Sequence, residues 1–155
     1  MPAAYCIIPV VFSCLSYSLY LLYRLSNLNL SHCAIDSIKF TSNSPQFPHL
    51  VTLNIRENNL SSWLDVAELQ KLPSLKELNL KGNPLLASLE DLIACHLILV
   101  RLPKLTKINN ADITRETIKE AEKYYVNKFY NEYESANEEW FRLHPTYKEI
   151  LESKS

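Results

Sequence analysis

The sequence predicts an α/β solenoid: short parallel strands stacked side by side, mixed helices and loops on the convex side, and a helical cap at the C-terminal end. Three observations predict it. The first is a pattern, L-x-x-L-x-L-x-x-N-x-L, that Leu75, Leu78, Leu80, Asn83 and Leu85 fill. The same slots recur 25 residues earlier as Leu50, Leu53, Ile55, Asn58 and Leu60, and 25 before that as Leu25, Leu28, Leu30, Cys33 and Ile35. The second is a marker in step with it, apolar-Pro-x-Leu, at Phe47-Pro48-His49-Leu50, Leu72-Pro73-Ser74-Leu75 and Leu102-Pro103-Lys104-Leu105. The third is a change of character at Asp112, where the repeats give way to a Glu-, Lys- and Tyr-rich stretch.

A period near 25 with this spacing is that of leucine-rich repeats. Slots one, four and six of each unit point into the core, and slots two, three, five and seven point out. A single unit cannot bury its apolar side, but stacked units can, and their strands then line a concave surface. Asn58 and Asn83 suit a buried slot whose amide satisfies the backbone as it leaves the strand, because an unpaired buried N–H or C=O is costly. Cys33 fills that slot in the first unit and is expected there as a buried, reduced thiol. A fourth register from Leu105 keeps Ile108 but has Asn110 and Arg115 at apolar slots, so it reads as a degenerate last turn. The repeats are assigned to residues 25–113.

The connectors differ. In LSSWLDVAELQKLP, from Leu60 to Pro73, Trp63, Val66, Leu69 and Leu72 recur every three residues, which predicts a short convex helix. DSIKFTSNSPQFP, in the first unit, is poor in helix formers and is expected to be irregular. SLEDLIACHLILVRLP places Ser88 and Asp91 as a capping box before an apolar run. It makes the Leu75-to-Leu105 interval 30 residues rather than 25, and such insertions leave the strand register intact.

From Thr114, Ile118, Ala121, Tyr125 and Phe129 recur at spacings of three and four, which predicts one amphipathic helix running on towards Trp140 and Phe141. Its apolar stripe should cover the last repeat, since the terminal units of a stack need a cap with a polar outer side. Pro145 then starts a last helical turn. The cap is assigned to residues 114–155.

Residues 1–24 form a hydrophobic N-terminal segment in which Arg24 is the first charged residue. Three readings stay open: a signal or membrane anchor, a plug on the open end of the stack, or an aberrant start in place of a natural upstream part.

Composition excludes several functions. One Gly in 155 residues leaves no glycine-rich phosphate cradle. A net charge of -1 exerts no overall pull on nucleic acid. The four cysteines lack the close pairs of disulfide-capped or zinc-bound modules, which suggests a reducing compartment. No two histidines stand at metal-ligand spacing, and no nucleophile, base and orienting group fall in a recognisable order. No catalytic residue, metal ligand or cofactor is expected.

The candidate binding residues lie on the outward side of the strands. Slot five is Asn in all four units, at Asn29, Asn54, Asn79 and Asn109, and slot seven places Arg56 and Lys81 in adjacent repeats. Neighbouring strands lie ~4.8 Å apart, so the two cations should sit together. A polar strip with a small basic patch would suit an acidic protein surface.

VRLPKLTKINNADIT, then AEKYYVNKFYNEY and HPTYKEIL, together with ENNLSSW earlier, resemble the end of the leucine-rich region of the tubulin-specific chaperone E family, which includes a chaperone-E-like relative. The resemblance covers residues 25–155. It implies a cytoplasmic, cytoskeleton-associated, non-enzymatic chaperone that handles α-tubulin as the α/β-tubulin heterodimer assembles or comes apart. It also implies a CAP-Gly domain ahead of the repeats and, after them, a ubiquitin-like domain. Neither lies in these residues, so a fragment or a repeat-only paralogue is expected. The alternatives are a membrane-anchored or secreted repeat protein and a scaffold similar to the spliceosomal A-prime protein.

Overall fold

The computed structural model describes residues 23–40 and 47–153. Residues 1–22, on which the N-terminal readings chiefly rest, and part of the first connector lie outside the described residues. The leucine-rich motifs form the strands β1 (Asn27–Asn29), β2 (Thr52–Asn54), β3 (Glu77–Asn79) and β4 (Lys107–Ile108). They pair in parallel in chain order, with Leu28 opposite Leu53, Leu53 opposite Leu78 and Leu78 opposite Ile108. Slot four thus runs as one apolar row across the sheet. Behind it Leu50, Leu53, Ile55, Leu75, Leu78, Leu80, Leu105 and Ile108 share a single core.

Each apolar-Pro-x-Leu marker is a turn. The N–H of Leu50, Leu75 and Leu105 donates to the carbonyl three residues back, at Phe47, Leu72 and Leu102. Pro takes the second position, where its fixed φ suits the bend. At the other end of each strand, slot eight adopts a left-handed backbone in all three units: His32 at φ 57°, Glu57 at 53° and Gly82 at 80°. The single Gly therefore stands where the turn demands positive φ, and only the third repeat meets that demand without strain.

Asn58 and Asn83 do what the sequence predicted. The Asn58 amide donates to the carbonyls of Leu30, Ile55 and Arg56 and accepts from the N–H groups of Cys33 and Ile35. Asn83 donates to Ile55 and Leu80 and accepts from Leu60. Each Asn thus serves its own unit and the one before. Cys33 has no earlier unit to serve among the described residues, which explains why a thiol suffices there. It is half-buried rather than buried, with Sγ 3.5 Å from the Ser31 carbonyl.

On the convex side α1 (Trp63–Glu68) begins at Ser62, whose hydroxyl accepts from the Leu64 N–H, and ends in a 3-10 turn at Leu69–Lys71. Its Asp65 and Glu68 carboxylates accept from the N–H groups of Ile38 and Phe40, pinning the first connector. Helix α2 (Asp91–Arg101) departs from expectation at its start. Its N-cap is Glu90 and no side chain caps it, so the predicted Ser88–Asp91 box is not formed. The segment Pro84–Leu86 forms a 3-10 turn ahead of it instead.

The degenerate fourth unit turns back on itself. Asn109 and Asn110 both have positive φ, 49° and 69°, and connect β4 to an antiparallel β5 (Ala111–Asp112). Two consecutive left-handed residues are the requirement of a tight hairpin, and Asn tolerates them. Beyond it the cap is three helices where the sequence predicted one long helix and a turn. Helix α3 (Arg115–Tyr133) starts at Thr114 as expected, its hydroxyl accepting from the Thr117 N–H. The chain breaks at Ser135–Asn137, and the Asn137 side chain caps α4 (Glu138–Leu143) by accepting from the Trp140 N–H. A final α5 (Tyr147–Glu152) begins two residues after Pro145.

Candidate functional site

The outward side of the sheet is built from two rows of side chains. Slot three contributes Asn27, Thr52, Glu77 and Lys107, paired in register and continued by Asp112 on β5. Slot five contributes Asn29, Asn54 and Asn79, also in register. The second row was expected. The charged members of the first, Glu77, Lys107 and Asp112, were not among the residues singled out from sequence.

Each slot-five Asn bends onto its own chain. The side-chain oxygens of Asn29, Asn54 and Asn79 accept from the N–H groups two residues on, at Ser31, Arg56 and Lys81, at 3.0, 3.2 and 3.2 Å. Asn is favoured here because its short amide mimics a backbone acceptor and tightens the strand exit. The oxygen is thereby used, and among the described residues nothing accepts from the three amide nitrogens. The row presents donors.

Asn109 departs from the other three. Its backbone lies in the hairpin turn, so its side-chain oxygen takes over a ladder bond, accepting from the Leu80 N–H at 2.8 Å. In the earlier units the equivalent N–H groups, of Leu30 and Ile55, bond to the backbone carbonyls of Asn54 and Asn79. Asn109 finishes the edge of the sheet rather than extending the strip.

Arg56 and Lys81 do leave the sheet at adjacent strand exits. Glu57 N–H donates to the Lys81 carbonyl, and His32 N–H to that of Arg56. An acid joins Arg56: Glu57 Oε1 lies 3.6 Å from Arg56 Nη2. The same carboxylate packs over Gly82, where any added Cβ would come within 2.5 Å of it. Arg56 therefore has a carboxylate partner of its own. Among the described residues no carboxylate reaches Lys81. The signal that could have revealed Glu57 is its slot-eight position one strand from Gly82.

The slot-three row is internally matched. Lys107 Nζ stands 3.9 Å from Glu77 Oε1 and 3.7 Å from Asp112 Oδ1, and the Thr52 hydroxyl donates to Glu77 at 3.3 Å. Exposed pairs of this kind contribute about 0–1 kcal/mol each. They leave the face polar and near neutral at one end, with the donor strip and Lys81 at the other.

The described groups with displaced pKa values lie in and beside the cap, away from this face. Arg101 is 2% exposed, and among the described residues it forms no ion pair. Its guanidinium donates to the carbonyls of Leu97 and Leu143 and stacks 4.5 Å from the Trp63 ring centroid. Burial lowers its pKa, and burial raises that of Tyr125. The Tyr125 hydroxyl lies 2.7 Å from His144 Nδ1, and burial, with the nearby Arg101 charge, pushes His144 down to about 4. The remaining residues of the HPTY stretch finish the clasp: the Thr146 hydroxyl donates to the Val100 carbonyl on α2 and Tyr147 to the Val126 carbonyl on α3. This chemistry fastens the cap to α2 and α3.

The sequence comparisons agree with this architecture. Residues 23–85 match the model of the leucine rich repeat family. The chain carries leucine-rich repeats. It is similar to tubulin-specific chaperone E of Danio rerio, 36% identical over 68% of this chain and 22% of the relative. The human tubulin-specific chaperone E is 30% identical over 80% of this chain and 27% of its own length. The human tubulin-specific chaperone cofactor E-like protein is 30% identical over 52% of this chain and 19% of its own. The leucine-rich-repeat chain thus spans roughly a quarter of the length of these relatives or less. No helix among the described residues is long and apolar enough to cross a membrane.

Proposed function

We propose that this leucine-rich-repeat chain is a non-enzymatic protein-binding module of a tubulin-folding cofactor E-like chaperone, and that its concave face engages α-tubulin during assembly or disassembly of the tubulin heterodimer. The observation that carries the reading is the similarity to tubulin-specific chaperone E over most of the chain. The geometry suits it: a row of Asn amide donors ends in Arg56 and Lys81, and a donor-rich strip fits a carboxylate-rich partner. Such a module works in the cytoplasm beside the cytoskeleton and needs no cofactor.

The test is the affinity of the chain for purified tubulin at low and moderate salt, with Arg56→Glu/Lys81→Glu beside it. Both residues are exposed, so folding should change by no more than about 0.5 kcal/mol per site. Binding should weaken about tenfold and lose much of its salt dependence, because exposed interfacial charges act through steering and screening. Equal affinities and equal salt slopes for the two proteins would remove the concave face from the interaction.

A further inference from the structure

The cap carries a second surface, whose inner rings pack on the clasp and whose outer rings are open. Its aromatic residues grade from buried to open. Tyr125 and Tyr147 have no exposure, while Tyr130 is 50% and Phe141 41% exposed. The rings connect. Tyr147 meets Tyr133 and Trp140, each at 5.1 Å, and Trp140 meets Phe141 at 5.3 Å. Tyr133 lies edge-on to Phe141 at 6.3 Å. An aromatic ridge, half-buried at Tyr133 and Trp140 and open at Phe141, therefore runs along the α3–α4 corner with Tyr130 exposed on α3, and open aromatic surface of this kind is where partners anchor.

Its surroundings are acidic. Over residues 130–143 there are four carboxylates, Glu132, Glu134, Glu138 and Glu139, against one basic residue, Arg142. Glu132 accepts from the Trp140 indole at 3.0 Å, which fixes that ring. Glu138 stands three residues before Phe141 on α4, and Glu134 follows Tyr130 by four at the end of α3, so each shares a helix face with an open ring.

Other aromatic rings in and beside the cap already hold cations. Arg101 lies over Trp63 and Tyr125, and Lys128 over Tyr124 and Phe129. Among the described residues none lies over Tyr130, Tyr133, Trp140 or Phe141. Ring faces and carboxylates side by side attract the same ligand, an ammonium or guanidinium carried on an apolar stem.

We propose that the aromatic and acidic face formed by Tyr130, Tyr133, Trp140 and Phe141 with Glu134 and Glu138 docks a basic, amphipathic segment of a partner protein. The apolar positions of the segment cover Phe141 and Tyr130, and its Arg or Lys residues lie across the exposed rings against the two carboxylates. The negative balance of the surface disfavours nucleic acid and acidic proteins. This face is independent of the concave strip in both charge and location.

The experiment uses the full chain and a short fluorescein-labelled peptide of alternating Arg, Lys and Leu, read by anisotropy, with the same peptide carrying Glu in place of Arg and Lys as control. The basic peptide should bind and the acidic one should not. Tyr130→Ser/Phe141→Ser should weaken binding at least about tenfold. Glu134→Lys/Glu138→Lys should weaken it comparably and flatten its salt dependence. Circular dichroism should show all variants folded, because the four residues are exposed. Arg56→Glu/Lys81→Glu should bind the basic peptide as the parent does, so loss of tubulin binding and loss of peptide binding remain separable. Equal binding by parent and both cap variants, or capture of the acidic peptide as well, would overturn the proposal. So would sedimentation showing that parent chains pair through this face and the aromatic variant does not.

Discussion

The two ends of the stack hold the same kinds of side chain in different states. At the N-terminal end Leu28 and Leu30 of the first repeat are only half-buried, and Cys33 stands in the slot that Asn fills later. At the C-terminal end Leu105 and Ile108 are 4% and 1% exposed, although their motif is the most degenerate of the four. The difference lies in what comes next in space. Beyond Ile108 the β5 hairpin completes the sheet and α3 packs along α2, with Ala121 and Tyr125 fully buried. Among the described residues no element lies beyond β1. Burial in a solenoid is conferred by neighbours, so a degenerate motif under a cap can bury its apolar slots more fully than a regular one elsewhere in the stack.

The sharpest way to break that comparison is to truncate the same slot at two places. Leu78→Ala, in the middle of the sheet, should cost about 2–5 kcal/mol, the range for a buried Leu whose cavity cannot collapse. Leu28→Ala, at a half-buried position, should cost less than half as much. Chemical denaturation of both variants checks this, and equal losses would mean that β1 is as well covered as β3.

A second effect is confined to the capped end and depends on pH. His144 titrates at about 4 in the folded chain, against about 6.5 when unfolded. Between those values the unfolded chain takes up a proton that the folded chain refuses. Stability should therefore fall as pH drops through this window, by up to about 3 kcal/mol, and be indifferent to this group above it. Burial lowers the His96 pKa as well, which adds in the same direction. His144→Gln should remove most of the slope between pH 6.5 and 4 while leaving that of His96. An unchanged slope would mean that His144 is open to solvent and that the clasp is loose.

The smallest effect concerns the strand exits. Glu57→Gly replaces a left-handed Glu by the residue the third repeat already uses, and should stabilise by about 0.5–1 kcal/mol less the small contribution of the Arg56 ion pair. Gly82→Ala should do the reverse and more, since its Cβ would meet the Glu57 carboxylate. Thermal melts of the two variants displaced in the same direction would contradict the shared slot-eight geometry.

What could be read in the sequence was what period dictates. Strand register, the inward slots, the buried Asn58 and Asn83 and the convex helix at Trp63 all follow from the repeat spacing, because each unit meets the same neighbours. The less legible features depend on contacts between units or on side-chain rotation. Nothing in the order of residues says that Asn54 turns its oxygen back to Arg56 N–H, or that Glu57 lies on Gly82. Arg101 stands at the end of an apolar run in the sequence, and its burial against Trp63 becomes visible only when α2 packs beside α1. The helix expected from Thr114 ends at Tyr133, and the Asn137 side chain starts a separate helix by capping the Trp140 N–H, a contact that apolar spacing does not reveal. The HPTY stretch was noticed as a likeness, while its role as a clasp between α2 and α3 is a matter of three-dimensional packing.

The central claim is that the cap is part of one cooperative unit with the repeats while the first strand is its weak end. Native-state hydrogen exchange measures this directly, residue by residue. The amides of Leu80, whose N–H bonds to Asn109, and of Tyr125 on α3 should exchange through openings of the same free energy, both higher than that for Leu30, whose N–H bonds to Asn54 at the edge. Tyr125 exchanging as freely as Leu30, with Leu80 still protected, would contradict the account and make the cap a separately opening appendage.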